Sequence, residues 1–121
     1  MESNLKVTIT HQPGTAIVTL EGEARLQLKE LEMQMARVSA EHPAVVILEM
    51  SGLSMMSSLG MGLLVSVRAG LKRRGGRLLV AGTQPIVLDS FKRARLESIF
   101  EVFETLEAAL ASVQPVNPPE S

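Results

Sequence analysis

The 121-residue chain has no cysteine, no tryptophan and no tyrosine, and only three phenylalanines, Phe91, Phe100 and Phe103. Without cysteine there is no disulfide framework and no thiolate zinc site. With so few aromatics, stacking platforms for single-stranded nucleic acid are nearly excluded. The formal net charge of −1 gives no general attraction to nucleic acid or anionic lipid. No apolar run approaches the ~20 residues of a membrane helix, and Met1 to Lys6 is polar with no apolar segment behind it, so no secretory signal is visible. These absences point to a cytoplasmic protein with no nucleic-acid partner and no membrane insertion. No metal-ligand spacing of His, Asp and Glu occurs. His11 and His42 fall in turns, with nothing in the sequence to bring either to a serine, so no catalytic residue, metal or cofactor is expected.

What is present is an aliphatic chain with seven methionines, long enough for one domain with its own core. Leu5 to Thr10 alternates apolar and polar residues and reads as a half-buried strand. His11-Gln12-Pro13-Gly14 supplies a turn, and Ala16 to Leu20 a second, antiparallel strand. Glu21-Gly22-Glu23 breaks that pattern. From Ala24 to Ala40 the period becomes helical, with Leu28, Leu31, Met35 and Val38 on one face, and Glu41-His42-Pro43 ends the helix.

Ala44 to Met50 is a continuous apolar run broken only by Glu49, the pattern of a strand buried on both faces. A turn is expected at Ser51-Gly52, then a helix from Ser58 to Arg74 with Leu59, Leu63, Leu64, Val67 and Leu71 as its stripe. Gly75-Gly76 stops it. Arg77 to Ala81 is a short strand, Ile86 to Arg95 a helix begun by Pro85, Ile99 to Phe103 a strand, and Thr105 to Val113 a helix capped by Thr105. The chain therefore reads as an α/β domain over 1–113. A single mixed, mostly parallel sheet of about five strands with about four helices is expected, in the order β-β-α-β-α-β-α-β-α. A Pro-rich tail, 114–121, is expected to be disordered.

The chemistry concentrates at Met55-Met56-Ser57-Ser58-Leu59-Gly60-Met61-Gly62. A serine here can cap the helix, satisfying an orphan N–H, or it can carry a phosphate that changes what the surface binds. Two glycines within three helical residues cost roughly 1 kcal/mol each relative to alanine, so close packing or a partner's approach must compensate. Met55, Met56 and Met61 can be core filler or an adaptable contact surface. Gly60 and Gly62 fit neither a dinucleotide nor a Walker fingerprint. The basic runs Arg68-Lys72-Arg73-Arg74 and Lys92-Arg93-Arg95 read as solvated faces that an acidic partner could use.

The element order, with the strand Ile47-Leu48-Glu49-Met50-Ser51 and the helix start Ser57-Ser58-Leu59-Gly60-Met61-Gly62, resembles the STAS domain (sulfate transporter and anti-sigma factor antagonist). Gly76 to Gly82 and Leu96 to Leu110 look like the family's closing elements. The resemblance places Ser58 on the serine that family antagonists present for phosphorylation, with Ser57 as the alternative, and Gly60 and Gly62 on the family's two glycines. Ser57 stands where the family has an acidic residue, Leu59 where it has Ser or Thr, and Arg25 follows Gly22-Glu23-Ala24 where an acidic residue is common. The implied function is a non-enzymatic anti-sigma factor antagonist that binds a serine-kinase-type anti-sigma factor, or a related STAS/ATPase protein, through Met55 to Gly62. The alternative is an unswitched scaffold subunit of a signalling assembly or of an ABC transporter ATPase complex.

Overall fold

The computed structural model describes residues 4–113, so the expected tail at 114–121 lies outside the described residues. The elements run β1 (Leu5–Gln12), β2 (Thr15–Ala24), α1 (Lys29–Ala40), β3 (Val45–Met56), α2 (Ser58–Arg73), β4 (Arg77–Ala81), α3 (Pro85–Arg93), β5 (Glu101–Phe103) and α4 (Leu106–Val113). The five strands form one sheet in the order β1-β2-β3-β4-β5. β1 and β2 are antiparallel, and every later pairing is parallel. This is the mixed α/β architecture that the hydrophobic periodicity predicts.

Alternation sorts the strand residues between two layers. Val18 and Leu20, Val46 and Leu48, and Val80 face the larger core, which α1, α2 and α3 close with Leu31, Met35, Leu64, Val87 and Phe91. Val45, Ile47, Leu79 and Ala81 face the other way and meet α4 through Ala109 and Leu106. β3 is thus buried on both faces, and no buried polar or charged residue interrupts either core among the described residues.

Several expected boundaries move. The break at Glu21-Gly22-Glu23 and the turn at Ser51-Gly52 are both strand, because β2 and β3 continue side by side to Ala24 and Met56. Register shifts occur between Thr19 and Glu21 and between Gly22 and Glu23, and each gives β3 one residue more than β2. An extra residue resets the alternation, so the inward positions of β3 run Met50, Leu53, Met56 at a spacing of three. That spacing imitates a turn or helix in the sequence. The irregular backbone is held by side chains: Ser54 Oγ donates to Gly22 O at 3.1 Å and Gln84 Nε2 to Ser51 O at 2.7 Å. With β2 extended, α1 begins at Lys29 rather than Ala24. Similarly α3 ends at Arg93, where Arg95 turns to φ 59°, and β5 begins at Glu101 rather than Ile99. Thr105 does cap α4, accepting from Ala108 N at 3.0 Å. Gly75, at φ 83°, closes α2 while Gly76 N donates to Leu71 O at 2.8 Å and Gly75 N to Lys72 O at 3.1 Å. Those two bonds make a Schellman stop.

Gly22 is the tightest point of the irregular pair. Its φ is 103°, and a Cβ there would lie 1.8 Å from Asn4 O. Gly22→Ala should therefore destabilise the domain by about 2 kcal/mol or more, through both strain and the displaced β1 start. Urea unfolding measures it, and a loss within a few tenths of a kcal/mol contradicts the assignment of this bulge.

Candidate functional site

The two serines that the sequence leaves undivided have different surroundings. Ser57, at φ −77° and ψ 166°, is the N-cap of α2. Its N–H donates to Ala24 O at 2.8 Å, and its Oγ accepts from Gly60 N at 3.1 Å. The same hydroxyl donates its proton to Arg25 O. Every polar group of the Ser57 side chain is thus committed to joining the end of β2 to the start of α2. Ser58 is the first helical residue, exposed, and its hydroxyl has no partner among the described residues. The N–H groups of Ser58 and Leu59 also meet no described acceptor, as expected for orphan donors in a first turn. No acidic side chain occupies that turn, so the positive end of the helix dipole is open beside a free hydroxyl.

Ser58 stands on the rim of an open groove of about 620 Å³ between the N-terminal halves of α1 and α2. Leu26, Leu28, Leu59 and Leu63 give it an apolar lining, with Lys29 and Glu32 on the α1 side. Leu59 is 57% exposed and Leu26 76% exposed. The expected inward stripe of α2 is corrected accordingly: Leu64 and Leu71 are buried, Leu63 and Val67 are half-buried, and Leu59 points outward. The helix turns this way because Gly60 and Met61, not Leu59, occupy its inward first-turn positions.

The remaining residues of the segment divide between core and surface. Met56 and Met61 are buried members of the main core, and Met55 is half-buried. Gly60 is buried where a Cβ would meet Met56 Cγ at 3.1 Å and Ala24 O at 3.6 Å, so its smallness serves packing. A Cβ on Gly62 meets nothing within 4 Å, and Gly62 lines the groove instead. From Met55 to Gly62 the accessible set is therefore Ser58, Leu59 and Gly62, with Met55 and Ser57 partly so. Leu26 joins it from the β2–α1 connection and Lys29 from the start of α1. Leu26 follows a strand whose continuation the broken alternation concealed, which is why the sequence does not reveal it.

Arg25 pairs with Glu23 at 2.8 Å, which lowers the Glu23 carboxyl below its ordinary range and raises the Arg25 guanidinium. The hydrogen bond is the larger cause and the charge attraction the second. Glu49 shares the strand face of Val45 and Ile47, away from the groove, and accepts from Ser51 N and Ser51 Oγ at 3.2 and 2.8 Å. His11 contacts Glu41 at 2.9 Å, and His42 lies in the turn before β3. Both sit at the end of the sheet opposite Ser58. Among the described residues no group of His, Asp and Glu could hold a metal ion, and no helix is long and apolar enough to cross a membrane.

A sheet of this order, with three crossover helices on one face and a capped serine-rich helix start, is a STAS-like α/β fold. The STAS domain family model matches residues 6–109, and the chain belongs to that family. An anti-sigma factor antagonist from Mycobacterium paratuberculosis superposes with a TM-score of 0.83 at 21% identity, covering 92% of this chain and 95% of the other. The anti-sigma factor antagonist SpoIIAA in its unphosphorylated form gives 0.77 at 24% identity, over 93% and 100%. The Bacillus cell fate determinant SpoIIAA in the phosphorylated form gives 0.72 at 20% identity, over 90% and 100%. At these identities the likeness is one of fold.

The division of labour between the serines has a stability signature. Ser57→Ala should cost about 1–2 kcal/mol, since it removes a cap, while Ser58→Ala should stay within about 0.5 kcal/mol. Equal effects in urea unfolding would refute it. The glycines give a second comparison. Gly62→Ala should be neutral or stabilising by up to about 1 kcal/mol from helix propensity, whereas Gly60→Ala should be the less stable of the two variants because the Met56 side chain must yield. Thermal unfolding of the two variants reads the difference, and the reverse order contradicts the packing described.

Proposed function

We propose that this STAS domain is a non-enzymatic regulatory module that binds a serine-kinase-type anti-sigma factor through the α1–α2 groove. Phosphorylation of Ser58 releases it. The observation that carries the reading is the free, exposed Ser58 hydroxyl at an open helix N-terminus on the rim of an apolar groove. Ser57, the alternative acceptor, spends its hydroxyl on the cap.

The chemistry is simple. The partner transfers the γ-phosphoryl group of ATP to Ser58 Oγ, whose proton is lost, leaving ADP. The ester adds about −1.5 to −2 charges. Within the domain that charge is favourable, because the free N–H groups of Ser58 and Leu59 and the α2 dipole face it. For a partner seated on Leu26 and Leu59 it is unfavourable, since it places a hydrated dianion in an interface that excludes water. The switch therefore acts on the surface and leaves the fold in place. The related antagonist SpoIIAA, solved in unphosphorylated and phosphorylated forms, supports the reading by analogy.

The unswitched scaffold is a second reading, favoured by one observation. The first turn of α2 has no acidic side chain, and Ser57 occupies the acidic position that the family pattern places before the phosphorylated serine. In that case the groove holds a constant partner, such as an ABC transporter ATPase subunit.

The protein should be incubated with a serine-kinase-type anti-sigma factor and ATP, then mapped by mass spectrometry. Phosphate is expected on Ser58 of the wild type, with none on Ser58→Ala, and Ser58→Asp should bind that partner at least ~tenfold more weakly. Phosphate elsewhere, or Ser58→Asp binding as tightly as wild type, overturns the switch. Recovery of an ABC ATPase whose binding is indifferent to phosphatase treatment supports the scaffold.

A further inference from the structure

The net charge of −1 conceals a polarity. In a parallel β–α–β crossover the helix runs back along the sheet, so its C-terminus lies where the strands begin. Arg68, Lys72, Arg73 and Arg74 at the end of α2 and Arg77 at the start of β4 therefore gather at that end. Lys92, Arg93 and Arg95 around the end of α3 join them. These are most of the chain's twelve lysines and arginines. The opposite end, which carries Ser58, mixes Glu21, Glu23 and Glu49 with Lys6, Arg25 and Lys29.

Some of the basic side chains are committed. Arg93 pairs with Asp89 at 2.9 Å, and Arg74 Nη1 donates to Ser39 O at 2.7 Å. Arg68, Lys72, Arg73, Lys92 and Arg95 have no ion pair among the described residues. Two of these, Arg68 and Lys72, line a pocket of about 180 Å³ together with Gly76, Arg77, Leu78 and Glu101. In it Arg77 holds the Glu101 carboxylate by both arms, Nη2 to Oε1 at 2.6 Å and Nε to Oε2 at 3.2 Å. This is the fork geometry that guanidinium offers to a planar carboxylate. Arg68 and Lys72, one helical turn apart, stand beside it with their charges unused.

We propose that this basic end is a second docking surface, independent of the Ser58 groove, and that its partner is an acidic polypeptide segment. A carboxylate of that segment enters the Arg68–Lys72–Arg77 pocket and competes with Glu101 for Arg77. Three features select this occupant. The pocket already binds a carboxylate in bidentate form. The basic segments carry no exposed large apolar side chain to insert into a bilayer, since Leu26, Leu59 and Ile86 lie at the other end and Met33 and Val102 on other elements. Phe91 and Phe100 are buried against each other, with ring centroids 5.5 Å apart, and offer no stacking surface to a base. With a partner at each end, the domain can bridge two proteins without either covering the other's site.

Amide NMR spectra of the full chain titrated with a poly-glutamate peptide test this, in salt of about 0.15 M where weak surface attraction is screened. Shifts should centre on Gly76, Arg77 and the last turn of α2, and leave Ser58 and Leu59 unmoved. Arg68→Glu/Lys72→Glu, checked for an unchanged fold by its spectrum, should weaken binding at least ~tenfold. Glu101→Gln should tighten it about threefold or more by freeing Arg77, whereas Glu97→Gln, the same change in net charge, should alter it less than about twofold. Equal gains from both glutamine variants would reduce the effect to diffuse attraction and overturn the proposal. So would the absence of saturable binding, salt-sensitive self-association in place of it, or tighter binding to anionic vesicles or transfer RNA than to the peptide.

Discussion

The site depends on three of the hydrogen bonds of Ser57. Its N–H reaches Ala24 O, its hydroxyl proton reaches Arg25 O, and its hydroxyl oxygen receives Gly60 N–H. An N-cap normally satisfies one orphan donor. This one also fastens the last residue of β2 and the first of the loop behind it. It therefore sets the separation of α1 from α2, and with it the groove between them. Because Ser57 takes the structural work, Ser58 is left at the first helical position with nothing to hold. One serine being bound makes the other available.

The glycines complete that arrangement. Gly60 lets α2 sit against Met56 and the Ala24 carbonyl, and Gly62 leaves the groove unfilled. Both lower helix propensity, but for different reasons, one inside and one outside. Leu59 between them is turned to solvent beside Leu26, so the end of the sheet where strands finish has an apolar, addressable surface. The strands begin at the other end, where the helices deliver their basic C-termini. A single crossover rule therefore separates an apolar, serine-bearing end from a cationic one.

Much of this was legible in the residues. The strand run Val45 to Met50, the amphipathic periods of α1 and α2, the Gly75-Gly76 stop and the Thr105 cap all follow from local chemistry, and together they give the order of elements along the chain. The extension of β2 and β3 was not legible, because each register shift adds a residue to β3 and erases the period of two. Leu53 and Met56 therefore read as a loop while they are core. The same concealment hid Leu26. Which serine caps could not be read either. Both have the right side chain, and only the position of the Ala24 and Arg25 carbonyls decides.

The central claim is that a phosphate on Ser58 would change the surface and not the fold. Amide NMR spectra of the chain before and after phosphoserine is installed at position 58, with unfolding free energies for both, test it most directly. The account predicts shifts confined to the first turn of α2, the 25–28 connection and Lys29, with stability equal to that of the unmodified protein or up to about 1 kcal/mol higher. Shifts spreading through β3 and β4, or loss of the Gly60 amide's protection by Ser57, would contradict it.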